Sequence, residues 1–177
     1  MSNVWFCSDL HFGHKGIGKF RGLLGISTEE DNTLLIKNDW KDLVHKRDFV
    51  YVLGDAAFTM DAVEEFADLP GTKYLVRGNH DQLNTQAYLK YFKEVYGILK
   101  YKEFWLSHAP IHPEELRGKT NLHGHVHFSS IRYPFEVGQP IDRRYLNCCP
   151  ENLMPTYDRC LVSLYQIRTS LSYKDDS

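Results

Sequence analysis

Only four cysteines occur in the 177 residues (Cys7, Cys148, Cys149 and Cys160), and no two of them form a C-x-x-C pair. That spacing excludes a disulfide-stapled secreted scaffold and a thiolate zinc finger. No apolar run approaches the roughly 18 residues that a spanning helix needs. Met1 to Asp9 carry neither a basic leader nor a long apolar stretch. The expectation is a cytoplasmic protein with reduced thiols and no membrane contact. Charge of either sign is not in excess: 21 Lys+Arg stand against 23 Asp+Glu, a formal net charge of -2. Extended duplex binding is therefore disfavoured, because a grip on a phosphate backbone rests on clustered basic residues. Seven prolines and 12 glycines are scattered too thinly to build a linker, and no repeat divides the chain. A single domain over 1–177 follows, long enough to bury a core without staples.

What is present is a set of short apolar runs that each end in a polar group. Val4–Cys7, Phe49–Leu53, Lys73–Val76 and Glu103–Leu106 are rich in β-branched and aromatic residues and bounded by turn formers, the pattern of buried strands. Ser27 with Glu30 reads as a capping box. It opens a helix whose inner face carries Thr33, Ile36, Trp40, Leu43 and Val44. Asp61 with Glu64 repeats the pattern before Val63, Phe66 and Ala67, and a third helix is expected over Gln86 to Phe92. Alternating strand and helix indicates an α/β protein with partly parallel pairing. After Gly97 the runs Glu103–Leu106, Ile131–Phe135 and Leu161–Ile167 follow without a clear helix, which predicts a second, antiparallel portion. The fold class expected is a layered α/β/β/α sandwich of two mixed sheets flanked by helices.

Polar groups follow the strand ends, where ligands bind in open α/β sheets. Asp9 and His11 follow the first run, Asp55 the second, Asn79 and His80 the third and His108 the fourth, with His125 and His127 beyond. Carboxylate, amide and imidazole donors without thiolate suit divalent transition metals such as Mn, Fe, Zn, Co or Ni. Asp9, His11, Asp55, Asn79, His108, His125 and His127 are too many ligands for one ion, so two ions sharing a carboxylate are expected. Two-metal sites clamp the attacking and leaving oxygens of an in-line displacement, which matches phosphoester hydrolysis.

Asp9-x-His11, Gly54-Asp55, Gly78-Asn79-His80-Asp81, His108 and Gly124-His125-x-His127, in this order, resemble the five motifs of the calcineurin-like metallophosphoesterase superfamily. The opening Ser8-Asp9-Leu10-His11-Phe12-Gly13-His14 is similar to its small single-domain bacterial and phage members. The resemblance implies that Asp9, His11, Asp55 and His127 hold one ion and Asp55, Asn79, His108 and His125 the other, with manganese the first choice. It also implies a bridging hydroxide as nucleophile, His80 as donor to the leaving oxygen and Asp81 as the group that orients His80. The chain departs from the family's common Gly-Asp-x-x-Asp pattern, because Phe58 stands at the last position.

Two further residues are candidates for substrate contact, each with a plainer reading beside it. His14 suits a phosphate contact or a loop hydrogen bond, and Arg77 a phosphate contact or a structural ion pair. His123 reads as a strand residue satisfied by a neighbour. The function expected is a phosphodiesterase acting on a phosphorylated small molecule or a nucleic-acid end. A non-catalytic metal-binding scaffold of the same fold, or a nuclease on nucleic-acid ends, is the alternative.

Overall fold

The computed structural model describes residues 2–133 and 138–172. Its first sheet begins with β1 (Val4–Cys7), which pairs in parallel with β2 (Phe49–Val52), Val4 opposite Phe49. Strands β3 (Thr72–Val76) and β4 (Glu94–Tyr96) extend the parallel array. The second sheet holds β5 (Ile98–Tyr101), β6 (Phe104–Ser107), β7 (Thr120–His123) and β8 (Tyr145–Asn147), in that order. Strand β9 (Val162–Ser163) returns to the first sheet, antiparallel to β1, giving the order β4-β3-β2-β1-β9. Both sheets are mixed, each with one antiparallel pair at an edge.

The period of two along the central strands sends alternate side chains into two cores. Trp5, Val50, Val52 and Leu75 face one cluster with Ile36, Trp40 and Phe66. Phe6, Tyr51, Leu53, Tyr74 and Val76 face the other, where they meet Phe104, Leu106 and Leu122 of the second sheet. Among the described residues six α-helices accompany the sheets: α1 (Ile17–Arg21), α2 (Glu29–Leu43), α3 (Met60–Val63), α4 (Thr85–Tyr88), α5 (Pro150–Tyr157) and α6 (Leu164–Ser172). Helix α2 covers the first core with Ile36 and Trp40, both fully buried. Each contributes on the order of 2 kcal/mol by burial. Helices α5 and α6 add Leu153 and Ile167 to the core between the sheets.

Several expectations change here. The cap of α2 is Thr28, not Ser27. Thr28 Oγ1 accepts from the Asp31 amide at 3.0 Å, and Asp31 Oδ2 accepts from the Thr28 amide at 3.0 Å. Thr59, not Asp61, caps α3 through the Ala62 amide. The expected third helix shrinks to the single turn α4, capped by Asn84. The portion after Gly97 is mostly parallel, because β6, β7 and β8 run the same way. It also contains helices α5 and α6. Leu161–Ile167 is not one strand: β9 takes two residues, and Ser163 with Gln166 then opens α6. Within Ile131–Phe135, Arg132 forms only an isolated bridge to Ile141, and Pro134 and Phe135 lie outside the described residues. All four cysteines are buried and free. No helix among the described residues is long and apolar enough to cross a membrane.

Candidate metal centre

The candidate ligands leave the carboxyl ends of parallel strands in both sheets. Asp9 and His11 follow β1, Asp55 follows β2, Asn79 follows β3, His108 follows β6, and His125 and His127 follow β7. Backbone bonds stitch these loops together. The Asp9 amide donates to Gly54 O at 2.9 Å, the His11 amide to Asp55 O at 2.9 Å and the Gly124 amide to His108 O at 2.8 Å. Five of the seven ligand candidates hold left-handed backbone: Asp9 (φ 55°), His11 (54°), Asp55 (50°), His125 (70°) and His127 (47°). That region is uncommon for residues with a Cβ and concentrates at functional sites. Gly124 owes its identity to space: a Cβ there would lie 1.8 Å from Ser8 Oγ and 2.1 Å from Asp9 Oδ2.

The ligand atoms fall into two halves that share Asp55. In one half, His11 Nε2 lies 3.4 Å from Asp9 Oδ1 and 3.8 Å from Asp55 Oδ2, and His127 Nε2 lies 3.7 Å from Asp9 Oδ1. In the other, His108 Nε2 lies 3.5 Å from Asp55 Oδ2 and 2.9 Å from Asn79 Oδ1. His125 Nδ1 lies 3.0 Å from Asn79 Oδ1 and 3.2 Å from His108 Nε2. Ligand atoms about 2.1 Å from one ion stand roughly 3.0 to 3.4 Å from each other, so much of this spacing suits shared coordination.

The remaining atoms of these side chains are already committed. Asp9 Oδ2 accepts from the His125 amide at 2.9 Å and lies 2.6 Å from the Ser8 hydroxyl and 3.1 Å from Cys149 Sγ. Its partner Oδ1 is buried without a hydrogen bond among the described residues, as are both ring nitrogens of His11. Asp55 Oδ1 accepts from the His80 amide at 2.9 Å, which leaves Oδ2 for the centre. His108 Nδ1 donates to Leu53 O at 2.9 Å, which leaves Nε2. Buried polar atoms without partners are costly and rare. Here Asp9 Oδ1 and His11 Nε2 face each other at 3.4 Å, so the residues present fit divalent cations. Burial alone would raise the Asp9 carboxyl, but the His11 and His108 imidazoles and the Ser8 hydroxyl hold it well below the usual carboxylate range.

Behind the candidate ligands lies a layer that sequence reasoning missed. His127 Nδ1 donates to Glu151 Oε1 at 2.9 Å. Glu151 in turn accepts from Arg21 Nε at 2.8 Å, and both side chains are fully buried. Arg21 also donates to Asn32 Oδ1 at 2.6 Å and to Asp9 O at 2.5 Å. The hydrogen bond that His127 donates to Glu151 raises its imidazole above its ordinary value. No spacing in the sequence ties Glu151 or Arg21 to the five motifs. Only the fold unites them.

The other candidates are placed less simply. Asp81 accepts from the backbone amides of Gly78 (2.8 Å), Asp55 (2.9 Å) and Ala56 (2.9 Å). It therefore locks the two ligand loops together. Among the described residues, no hydrogen bond joins it to the His80 imidazole, so the expected orienting bond is replaced by backbone clamping. Burial raises the Asp81 carboxyl, and the amide donors work against that rise. His80 is exposed, with its ring 5.0 Å from Phe58 and 6.0 Å from His11. Arg77 donates to Asp81 O at 2.7 Å and Leu83 O at 2.5 Å, a structural use of its guanidinium. His14 stacks on Phe58 at 4.7 Å, beside the candidate ligand His11. His123 is buried, bonded through Nδ1 to Gly124 O at 2.9 Å, and held down to about 4 by its burial.

The family profile described as "Calcineurin-like phosphoesterase" matches residues 2–148. The Gene 66 protein of Mycobacterium phage L5 is 32% identical over 184 residues, covering 83% of this chain and 86% of that one. An uncharacterized protein of Methanocaldococcus jannaschii is 32% identical over 143 residues, covering 76% of each. Among solved structures, a protein of unknown function from Aquifex aeolicus superposes with a TM-score of 0.71 at 25% identity. That match covers 96% of this chain and all of the other.

Proposed function

We propose that this chain, which belongs to the calcineurin-like phosphoesterase family, is a dinuclear metal-dependent phosphodiesterase. The observation that carries the reading is the shared position of Asp55 Oδ2, 3.8 Å from His11 Nε2 in one half of the cluster and 3.5 Å from His108 Nε2 in the other. In this reading Asp9, His11, Asp55 and His127 hold one ion, and Asp55, Asn79, His108 and His125 hold the second. Manganese is the first choice, with Fe, Zn, Ni and Co suited to the same donors. Two divalent ions supply charge neutralisation at phosphorus and a nucleophile at neutral pH.

The chain's own residues do the rest. Glu151 sets the tautomer of His127, Asp81 fixes the Asp55 and Gly78 loops, and His80 stands at the rim as proton donor to the leaving oxygen. Such a donor contributes typically ~10²–10⁴-fold. Two clefts support a diester over a monoester. One, of about 300 Å³, is lined by His11, His14, Phe58, His80 and His127. The other, of about 570 Å³, is lined by Asn79, His108, Pro110, Ile111 and His125. They share no residue and each meets one half of the cluster, so each substituent of a diester has its own cleft. A phosphorylated small molecule or a nucleic-acid end fits this arrangement. Four free, buried cysteines suit the cytoplasm.

The test is turnover by chelator-stripped protein reloaded with Mn²⁺. Bis(4-nitrophenyl) phosphate is expected to be hydrolysed only after reloading, and faster than 4-nitrophenyl phosphate. Faster monoester cleavage would overturn the diester preference. No turnover of either ester with any divalent cation would leave a metal-binding scaffold.

A further inference from the structure

Four rings form a ladder that starts in solvent and ends at the ligand cluster. Phe20 and His14 stack at 6.1 Å and 21°, His14 and Phe58 at 4.7 Å and 15°, and Phe58 and His80 at 5.0 Å and 20°. Phe58 also lies 5.3 Å from the ring of His11. Phe20, Phe58 and the buried Ile17 all line the cleft of about 300 Å³ beside His11 and His127. Core packing does not account for these rings. Neither Phe20 nor Phe58 belongs to either hydrophobic core, and Phe20 leaves 63% of its surface in water. Phe58 stands where the resemblance leads one to expect a carboxylate. At that position the cleft presents an aromatic face.

We infer that this cleft is a subsite for a planar aromatic group on the substrate, a nucleobase or an aryl ring, stacked on the Phe20–His14–Phe58 ladder beside the phosphate. The inference rests on the phosphodiester reading and narrows its substrate class to aromatic esters, dinucleotides and nucleotide ends among them. Three observations favour a flat ring over a polyol or an alkyl chain. The wall consists of near-parallel ring faces, which attract another π face regardless of its hydrogen-bonding pattern. Apart from the histidines, the lining residues Ile17, Phe20 and Phe58 offer no polar group to a sugar-like hydroxyl array. The volume is at the lower end of that found for small-ligand pockets, enough for one ring system.

Phe20 is the residue to test, because it is exposed and absent from both cores, so its removal spares the fold. Calorimetry on Mn²⁺-loaded protein compares adenosine 5′-monophosphate with glycerol 3-phosphate, two ligands that share the phosphate and differ in the ring. The wild type is expected to prefer the nucleotide. Phe20→Ala is expected to lower the nucleotide-to-glycerol-phosphate affinity ratio about fivefold or more, and Phe20→Trp to restore it. A parallel assay follows the kcat/KM ratio for a dinucleotide against glycerophosphoethanolamine, where the same fall is expected and should reside in KM. An affinity ratio near one in the wild type, or one unmoved by Phe20→Ala, would overturn the subsite even if both diesters turn over. A nucleotide preference that Phe20→Ala abolishes, with no turnover of either diester, would uphold the subsite while the catalytic reading falls.

Discussion

His127 is held from both sides of its ring: Nδ1 donates to Glu151 Oε1 at 2.9 Å while Nε2 lies 3.7 Å from Asp9 Oδ1. A single hydrogen bond thus decides which nitrogen is left for a cation. Carboxylate partners of this kind typically change metal affinity 10–100-fold. Glu151→Gln, which keeps the shape and removes the charge, is expected to weaken Mn²⁺ binding within that range by calorimetry. Equal affinity in the variant would deny Glu151 a positioning role.

Gly124 gives a second expectation. Its φ is not in the left-handed region, so the objection to a side chain is space alone. Gly124→Ala must displace Asp9 or Ser8. The expected loss is about 1–3 kcal/mol of stability, the usual range for overpacking, together with metal stoichiometry below two per chain by elemental analysis. Two retained ions and an unchanged urea midpoint would show that the loop yields freely.

His80 contributes its backbone amide to Asp55 Oδ1, and its ring stands outside the cluster. His80→Ala preserves the amide. Metal content should therefore match the wild type while kcat on an ester with a poor leaving group falls ~10²–10⁴-fold. An unchanged rate would remove the proton-donor role.

Far from the site, Asp48 accepts from the Asn3 amide at 2.7 Å, the His45 amide at 3.0 Å and Trp5 Nε1 at 3.1 Å. Burial acts to raise this carboxyl, but the three donors outweigh it and the folded value lies below the ordinary one. A depressed carboxyl stabilises the fold above its unfolded value of about 3.9, and that stabilisation fades as pH falls towards the folded value. Asp48→Asn should cost about 2 kcal/mol between pH 5 and 8. The gap between the two proteins should narrow progressively below about pH 4 in urea titrations. A gap that does not narrow as pH falls below about 4 would contradict the assignment.

The strands before the first four motifs were legible because each is a short apolar run bounded by turn formers, and their ends fall within a residue of expectation; β7, before the fifth, was not, because Thr120–His123 is mostly polar. The α2 cap was displaced because two overlapping pairs, Ser27/Glu30 and Thr28/Asp31, satisfy the same pattern. Local sequence does not say which one will be extended at the cap. Helix α5 was hidden by Pro155 in its middle and α6 by the β-branched start of its segment. The candidate ligands stand out in the sequence because metal chemistry restricts residue type. Glu151 and Arg21 could not, since burial against a ligand is a three-dimensional relation with no fixed spacing. Asp81 was placed in the right loop but given the wrong partner, because proximity in sequence to His80 says nothing of where its carboxylate points.

The left-handed backbone at five candidate ligand positions carries an evolutionary consequence. Such conformations cost of order 1–3 kcal/mol each for residues with a Cβ, somewhat less for Asp and His. Together they weigh against a net stability of typically 5–15 kcal/mol. Glycine or asparagine at any of these positions would relax the chain. A lineage released from metal chemistry would therefore gain robustness by drifting at Asp9, His11, Asp55, His125 and His127. This chain still has a carboxylate or an imidazole at every one of them.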